Sequence, residues 1–148
     1  MADDLDDPLR LDRQLCFPLY AASNLMTRLY RPVLAQLGLT YPQYLAMLVL
    51  WEADPVSVGD LGGRLHLDSG TLTPLLKRLE ASGLVTRKRD TQDERRVLIG
   101  LTTEGRALRE KATGVPFTVA SGLGMTPQAM LDLRDAVQQM VAAMPKPS

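Results

Sequence analysis

The sequence predicts a mainly α chain with a small β-hairpin, a winged helix-turn-helix carried between N- and C-terminal dimerisation helices. Three observations in its 148 residues predict it. Residues 57–83 hold two short helical stretches separated by His66-Leu67-Asp68. Residues 84–89 and 97–101 alternate apolar and polar side chains across a charged tip, the pattern of a hairpin wing. Both ends of the chain carry apolar stripes at helical spacing that need a further layer to cover them.

Taken in order, residues 1–10 are expected to fray. Leu11, Leu15, Leu19, Ala22, Leu25 or Met26, and Leu29 recur at helical spacing, which predicts a helix over 11–31. Pro18 interrupts it and leaves two solutions open. Either the helix kinks there, or the regular helix starts near Phe17 with Pro18 in its first turn, where a missing N–H does no harm. The second solution sets Cys16 beside a helix N-terminus, a place that favours a thiolate. Leu37-Gly38-Leu39 breaks the chain. Thr40-Tyr41-Pro42-Gln43 is a capping-box pattern opening a helix over 44–52 that is apolar nearly all round and therefore buried, with Trp51 in the core. Ala53-Asp54-Pro55 ends it.

In the winged stretch Ser57 is an N-cap with Asp60 three residues on, and Leu61 and Leu65 share a face. His66 is a turn residue facing solvent or DNA. Asp68 caps the second helix, and Leu72, Leu75, Leu76 and Leu79 give it a buried stripe. Pro74 removes the hydrogen bond to the Gly70 carbonyl, so the helix bends or water takes that oxygen. Ser82-Gly83 ends it with Gly83 as a left-handed cap. The opposite face carries Ser69, Thr71, Thr73, Lys77 and Arg78: small hydroxyls that let backbone approach base edges, and a basic pair for phosphates. Thr102 caps a further helix that decays at Thr113-Gly114. Residues 115–125 have weak periodicity. Thr126-Pro127 opens a last helix with Met130, Leu133, Val137, Met140, Val141 and Met144 on one stripe.

Charge places any nucleic-acid contact locally. The chain has 17 basic and 17 acidic residues and a formal net charge of zero. From residue 77 to 96, however, Lys77, Arg78, Arg87, Lys88, Arg89, Arg95 and Arg96 face only Glu80, Asp90, Asp93 and Glu94. That excess fits a helix in the major groove and a wing on backbone or minor groove. No run of about 18 apolar residues crosses a membrane, and the acidic N-terminus is no secretory signal. One cysteine makes no internal disulfide and fits a reducing cytoplasm. With one histidine and one thiol the chain has no metal-site spacing, and no cofactor is expected. The seven methionines read as core filler, and by itself so does Cys16, since a lone cysteine on an apolar helix is usually inert.

The run D-E-R-R-V-L-I-G-L-T-T-E-G resembles the MarR family of bacterial repressors, with Asp93, Arg95, Leu101, Thr102 and Gly105 at the family's wing positions. The L-x-x-Q-L-C-F and G-L-T-Y-P-Q-Y runs are similar to its OhrR branch, the organic-hydroperoxide-sensing repressors, and the likeness extends over residues 11–144. It implies a cytoplasmic homodimer on a pseudo-palindromic operator in double-stranded DNA, released when an organic hydroperoxide oxidises Cys16. It implies that tyrosines, some from the other subunit, hydrogen-bond the sulfur; the matching positions are Tyr20, Tyr30 and Tyr41. Pro18 departs from the pattern, where a small helix former is expected. The absence of a later cysteine implies the one-cysteine type, whose sulfenic acid is capped by a small cellular thiol, cyclised to a sulfenamide or over-oxidised irreversibly, with release following the first two. The DNA-contact residues implied are Ser69, Thr71, Thr73, Lys77, Arg78, Arg87, Lys88, Asp93, Arg95 and Arg96.

The organisation expected is a flexible 1–10, dimerisation and sensor helices over 11–56, a DNA-binding winged region over 57–102 and dimerisation helices over 103–148, in one compact domain. Two other functions compete: a repressor of this fold released by a small aromatic or lipophilic ligand, and a one-cysteine thiol peroxidase. The second is disfavoured because the basic residues gather on the wing rather than around Cys16. The expectation is therefore a protein that is not an enzyme.

Overall fold

The computed structural model describes residues 7–146; most of the stretch expected to fray, residues 1–6, lies outside them. Seven α-helices and three strands follow in the order α1 (Cys16–Ala35), α2 (Tyr41–Glu52), β1 (Val56–Ser57), α3 (Val58–Leu65), α4 (Ser69–Ala81), β2 (Val85–Arg89), β3 (Val97–Leu101), α5 (Thr103–Ala112), α6 (Val115–Ser121) and α7 (Pro127–Ala143). The mainly helical class with a small antiparallel sheet is as the sequence predicts.

The first helix differs from expectation at both ends. Leu11–Arg13 forms a separate 3-10 turn, and α1 begins at Cys16 with Leu15 as its N-cap. Of the two solutions at Pro18 the second holds: the proline sits in the first turn, where no intrahelical partner is lost. Pro32 does not stop the helix, which runs on to Ala35; its missing N–H costs the bond to the Arg28 carbonyl.

Local caps decide most other boundaries. The Thr40 side chain accepts from the Gln43 amide while the Gln43 side chain accepts from Thr40 N–H, so α2 starts at Tyr41 rather than 44. It buries Gln43, Tyr44, Ala46, Met47, Val49 and Leu50. Ser57 accepts from Asp60 N–H at 3.1 Å, and Asp68 from Thr71 N–H at 2.7 Å. His66 closes α3 in the left-handed region, with φ 55°. Gly83 (φ 79°) ends α4 in a Schellman pattern: Leu84 N–H donates to the Leu79 carbonyl and Gly83 N–H to that of Glu80. Pro74 lies inside α4, which runs on past it to Ala81.

Leu61, Leu72, Leu76, Leu79 and Ile99 are sealed in the core with Leu34, Met47 and Leu50. Each such side chain contributes about 1.5–3 kcal/mol by leaving water. The wing is not a bare hairpin. Val56–Ser57 adds a third strand on the outer edge of β3, giving the order β1-β3-β2, with Val56 opposite Ile99 and Val85 opposite Leu101. Leu84, expected to open the strand, belongs to the preceding cap.

Residues 115–125, expected to be irregular, form helix α6 over their first seven residues, with Val115 and Val119 buried on one side. It packs on α1. By contrast α7 buries none of its residues, and α1 buries only Leu34. Leu15, Tyr20, Leu25, Leu131, Leu133, Val141 and Met144 stay exposed. Among the described residues no helix is long and apolar enough to cross a membrane.

Candidate functional site

Two groups of side chains stand out. The first is a set of phenols where α1 meets α2. Tyr30 and Tyr41 have ring centroids 4.8 Å apart; Tyr44 lies 5.7 Å from Tyr30 and 6.4 Å from Tyr41. Burial, then the neighbouring phenols Tyr41 and Tyr44, push Tyr30 up to about 12. Burial raises Tyr41, and burial with Tyr41 nearby raises Tyr44. All three remain neutral hydroxyl donors at physiological pH. The resemblance singles out Tyr30 and Tyr41, with Tyr20; it does not single out Tyr44, although its spacing of three from Tyr41 on one helix already puts the two on one face.

Cys16 stands apart from this set in the single chain. It is exposed at the first position of α1, so it is not an inert core residue there. Fourteen residues separate it from Tyr30 along the same helix, about 21 Å at 1.5 Å per residue. The rotation over fourteen residues returns within about 40° of its start, so Cys16, Ser23 and Tyr30 share a stripe. Tyr20, one turn from Cys16, is 68% exposed.

The second group is the face of α4 and the wing. Ser69, Thr71, Lys77 and Arg78 are exposed along α4, and Thr73 is half-buried. A solvent-open cavity of about 510 Å³ between α3, α4 and the wing is lined by Asp60, Thr73, Arg87, Arg95 and Arg96. Arg87 N–H donates to Glu80 Oε2 at 3.2 Å, while its buried Nε has no partner. Arg96 sits 3.7 Å from Asp60 and 3.8 Å from Asp90. Lys88 is exposed on β2, away from this cavity.

At the wing tip Arg95 is 91% exposed. Asp93 holds it, accepting Nε at 3.1 Å and Nη2 at 3.3 Å, and the Arg95 N–H at 3.2 Å. Those bonds, side chain first, hold the Asp93 carboxyl below the usual range. The guanidinium is thus aimed before any partner arrives.

A family profile described as "Transcriptional regulator SarA/Rot" matches residues 28–112. The organic hydroperoxide resistance transcriptional regulator of Bacillus subtilis (strain 168) is 53% identical over 128 residues, 86% of this chain and 85% of that protein. The chain belongs to the MarR family of transcriptional regulators, in its OhrR branch. The HTH-type transcriptional regulator TtmR of Methylorubrum extorquens (strain PA1) is 56% identical over 94% of this chain and 69% of its own length. Structures of AbfR bound to DNA, in reduced and overoxidized forms, superpose with TM-scores of 0.75 and 0.74 at 37% identity. They cover 96% and 97% of this chain and 99% and 100% of those chains. The regulator, with one cysteine, is of the branch's one-cysteine type.

Proposed function

We propose that the regulator is a homodimeric repressor that holds a pseudo-palindromic operator and lets go when an organic hydroperoxide oxidises Cys16. The observation that carries this reading is the shared stripe of α1. Cys16 and Tyr30 lie at its two ends, with Ser23 midway. Two antiparallel copies of α1 crossing at Ser23, with Ala21 and Ala22 beside it, bring each Cys16 over Tyr30 of the partner subunit. The small residues at the midpoint let the backbones approach. The apolar faces left bare on α1 and α7 are then covered by the same pairing. Residues 11–56 and 103–148 thereby serve dimerisation and sensing, and 57–102 DNA contact.

Chemistry follows from the donors. The phenol hydroxyls of Tyr30 and Tyr41, with Tyr20 beside Cys16, donate to the thiolate, which is the nucleophile. The sulfur attacks the outer peroxide oxygen; the O–O bond breaks, an alcohol leaves after taking a proton, and Cys16 becomes a sulfenic acid. Exposed Leu15 and Phe17, which flank Cys16 in the chain, favour a lipophilic alkyl group over hydrogen peroxide. A small cellular thiol then condenses with loss of water, or a backbone nitrogen closes a sulfenamide. The new oxygen and its cap need room among the phenols, and the α1 pair shifts.

On the DNA side, Ser69, Thr71 and Thr73 face base edges and Lys77, Arg78, Arg87, Lys88 and Arg96 the phosphates, while Arg95, aimed by Asp93, enters the minor groove. This is binding without turnover, in the cytoplasm where thiols stay reduced. The decisive experiment is Cys16→Ser. It should bind operator as wild type does and stay bound when cumene hydroperoxide is added. Release of the serine variant by peroxide would sink the redox reading and favour a ligand-released repressor.

A further inference from the structure

Asp54 belongs to neither group, yet it ties them together. It follows α2 and precedes β1. The register that sets Val56 opposite Ile99 and Ser57 opposite Leu98 puts Asp54 opposite Leu101. Backbone pairing stops short of that position and the carboxylate takes over. Leu101 N–H donates to Oδ1 at 3.1 Å, and Arg106 Nη2 on α5 donates to Oδ2 at 3.0 Å. The Asp54 side chain is 18% exposed, against 67% for its arginine. Three residues earlier, Trp51 Nε1–H donates to the Gly105 carbonyl at 2.9 Å. A Cβ on Gly100 would stand 3.3 Å from Asp54 Oδ1, so the strand lies close against the carboxylate. The end of α2 is therefore fastened to the last residue of β3 and the first turn of α5.

β3 is one arm of the wing. α2 carries Tyr41 and Tyr44 at its start and this joint just past its end, about 18 Å apart along a buried rod. A packed helix moves as a unit, so a displacement at the phenols reaches the joint. We propose that Asp54 is a positioning residue for DNA contact: it fixes the root of the wing to α2, so that the wing's placement follows the phenol cluster. The coupling half of this rests on the redox reading above; the positioning half rests on DNA binding alone.

The test uses the full chain and a labelled duplex carrying its own upstream operator. Asp54→Ala removes both acceptors; Asp54→Asn keeps one for Leu101 N–H and loses the charge facing Arg106. On charge alone, taking an acid from a DNA-binding protein tightens binding. The expected result is the opposite, about ten-fold weaker binding by reduced Asp54→Ala and a smaller loss for Asp54→Asn. Arg95→Ala added to either variant should cost less than about two-fold more, because a misplaced wing has no tip contact left to lose. After peroxide, mass spectrometry should show Cys16 oxidised as in wild type, while the ratio of reduced to oxidised affinity shrinks.

Unchanged or tighter binding, or a full additive cost of Arg95→Ala, overturns the positioning role. If Asp54→Ala does not fold, the same additivity test on Asp54→Asn decides it. If wild type releases DNA on oxidation and both variants release with the same ratio, the coupling is overturned. If wild type itself does not release, the redox reading fails while the additivity result still judges Asp54.

Discussion

Thr102 bonds through its hydroxyl and its backbone at the junction of the wing and α5, and removing the hydroxyl gives a stability change that can be worked out bond by bond. Its Oγ1 accepts from Gly105 N–H at 3.0 Å and donates to the Gly83 carbonyl at 2.6 Å, while its own N–H donates to the Leu84 carbonyl at 3.1 Å. Thr102→Val keeps the shape and the backbone bonds, including Arg106 N–H to the Thr102 carbonyl at 3.0 Å, and deletes the two made by the hydroxyl. Loss of an N-cap costs about 1 kcal/mol. The second bond adds about 1 kcal/mol, no more, because Gly83 is exposed and water replaces the donor. Their sum, about 2 kcal/mol, corresponds to a melting point lowered by about 4–8 °C for a chain of this size. Thr102→Ser keeps the oxygen and should lose less than about 1 kcal/mol. Thermal unfolding followed by circular dichroism, at one protein concentration because pairing of copies shifts the transition, reads both. If Thr102→Val melts within about 1 °C of wild type, the cap and the tie to Gly83 do not carry the junction.

Arg95→Ala should weaken operator binding by about 1–3 kcal/mol if it reads the minor groove, and flatten the salt dependence by about one unit if it contacts a phosphate; fluorescence anisotropy at several salt concentrations separates the two, and unchanged affinity refutes the wing's role. The raised phenols make the fold sensitive to base. A phenol whose folded value lies above its unfolded one stabilises fully below the ordinary 10.0 and loses that contribution as pH climbs towards the folded value, about 12 for Tyr30. Denaturant midpoints should therefore fall from pH 10 upward, and Tyr30→Phe should flatten that fall; an equal slope in the variant would refute it. In α3, a Cβ on Gly63 meets nothing within 4 Å, so Gly63→Ala should stabilise by about 0.5–1 kcal/mol, whereas a Cβ on Gly62 stands 2.7 Å from the Leu67 carbonyl oxygen and Gly62→Ala should destabilise. Urea unfolding of the pair checks the sign of each.

What the sequence discloses is the chemistry that closes within a few residues. The caps at Thr40, Ser57, Asp68, Thr102 and Thr126 each accept from an amide three residues on, a relation a linear reading sees directly. The leucine stripe of α4 is legible for the same reason. The helix predicted over 11–31 stops short because its apolar spacing ends at Leu29; beyond it the cost of the bond lost at Pro32 is outweighed by the packing of Val33 and Leu34. α6 shows too little periodicity in seven residues to announce itself, and β1 exists only because β3 offers an edge. Long-range groupings are invisible in order: nothing in the string says that Tyr30 meets Tyr44, or that Asp54 finds Leu101 and Arg106. The resemblance named Tyr20, Tyr30 and Tyr41 but not Tyr44, the third ring of the cluster.

The separation of thiol and phenols within one chain bears on how the proposed switch works. About 21 Å of helix keeps Cys16 from its own Tyr30, so under the proposed reading the reactive site exists only where two copies meet, and the two-fold axis makes two such sites. Each pairs one subunit's sulfur with the rod that holds the other's wing. An oxygen added at one site therefore presses on the α2 of the opposite chain, and through Asp54 on the opposite wing. A dimer reads half-sites about one helical turn apart, and both recognition helices must be in register at once. Under that reading, misplacing a single wing weakens the grip of the whole dimer.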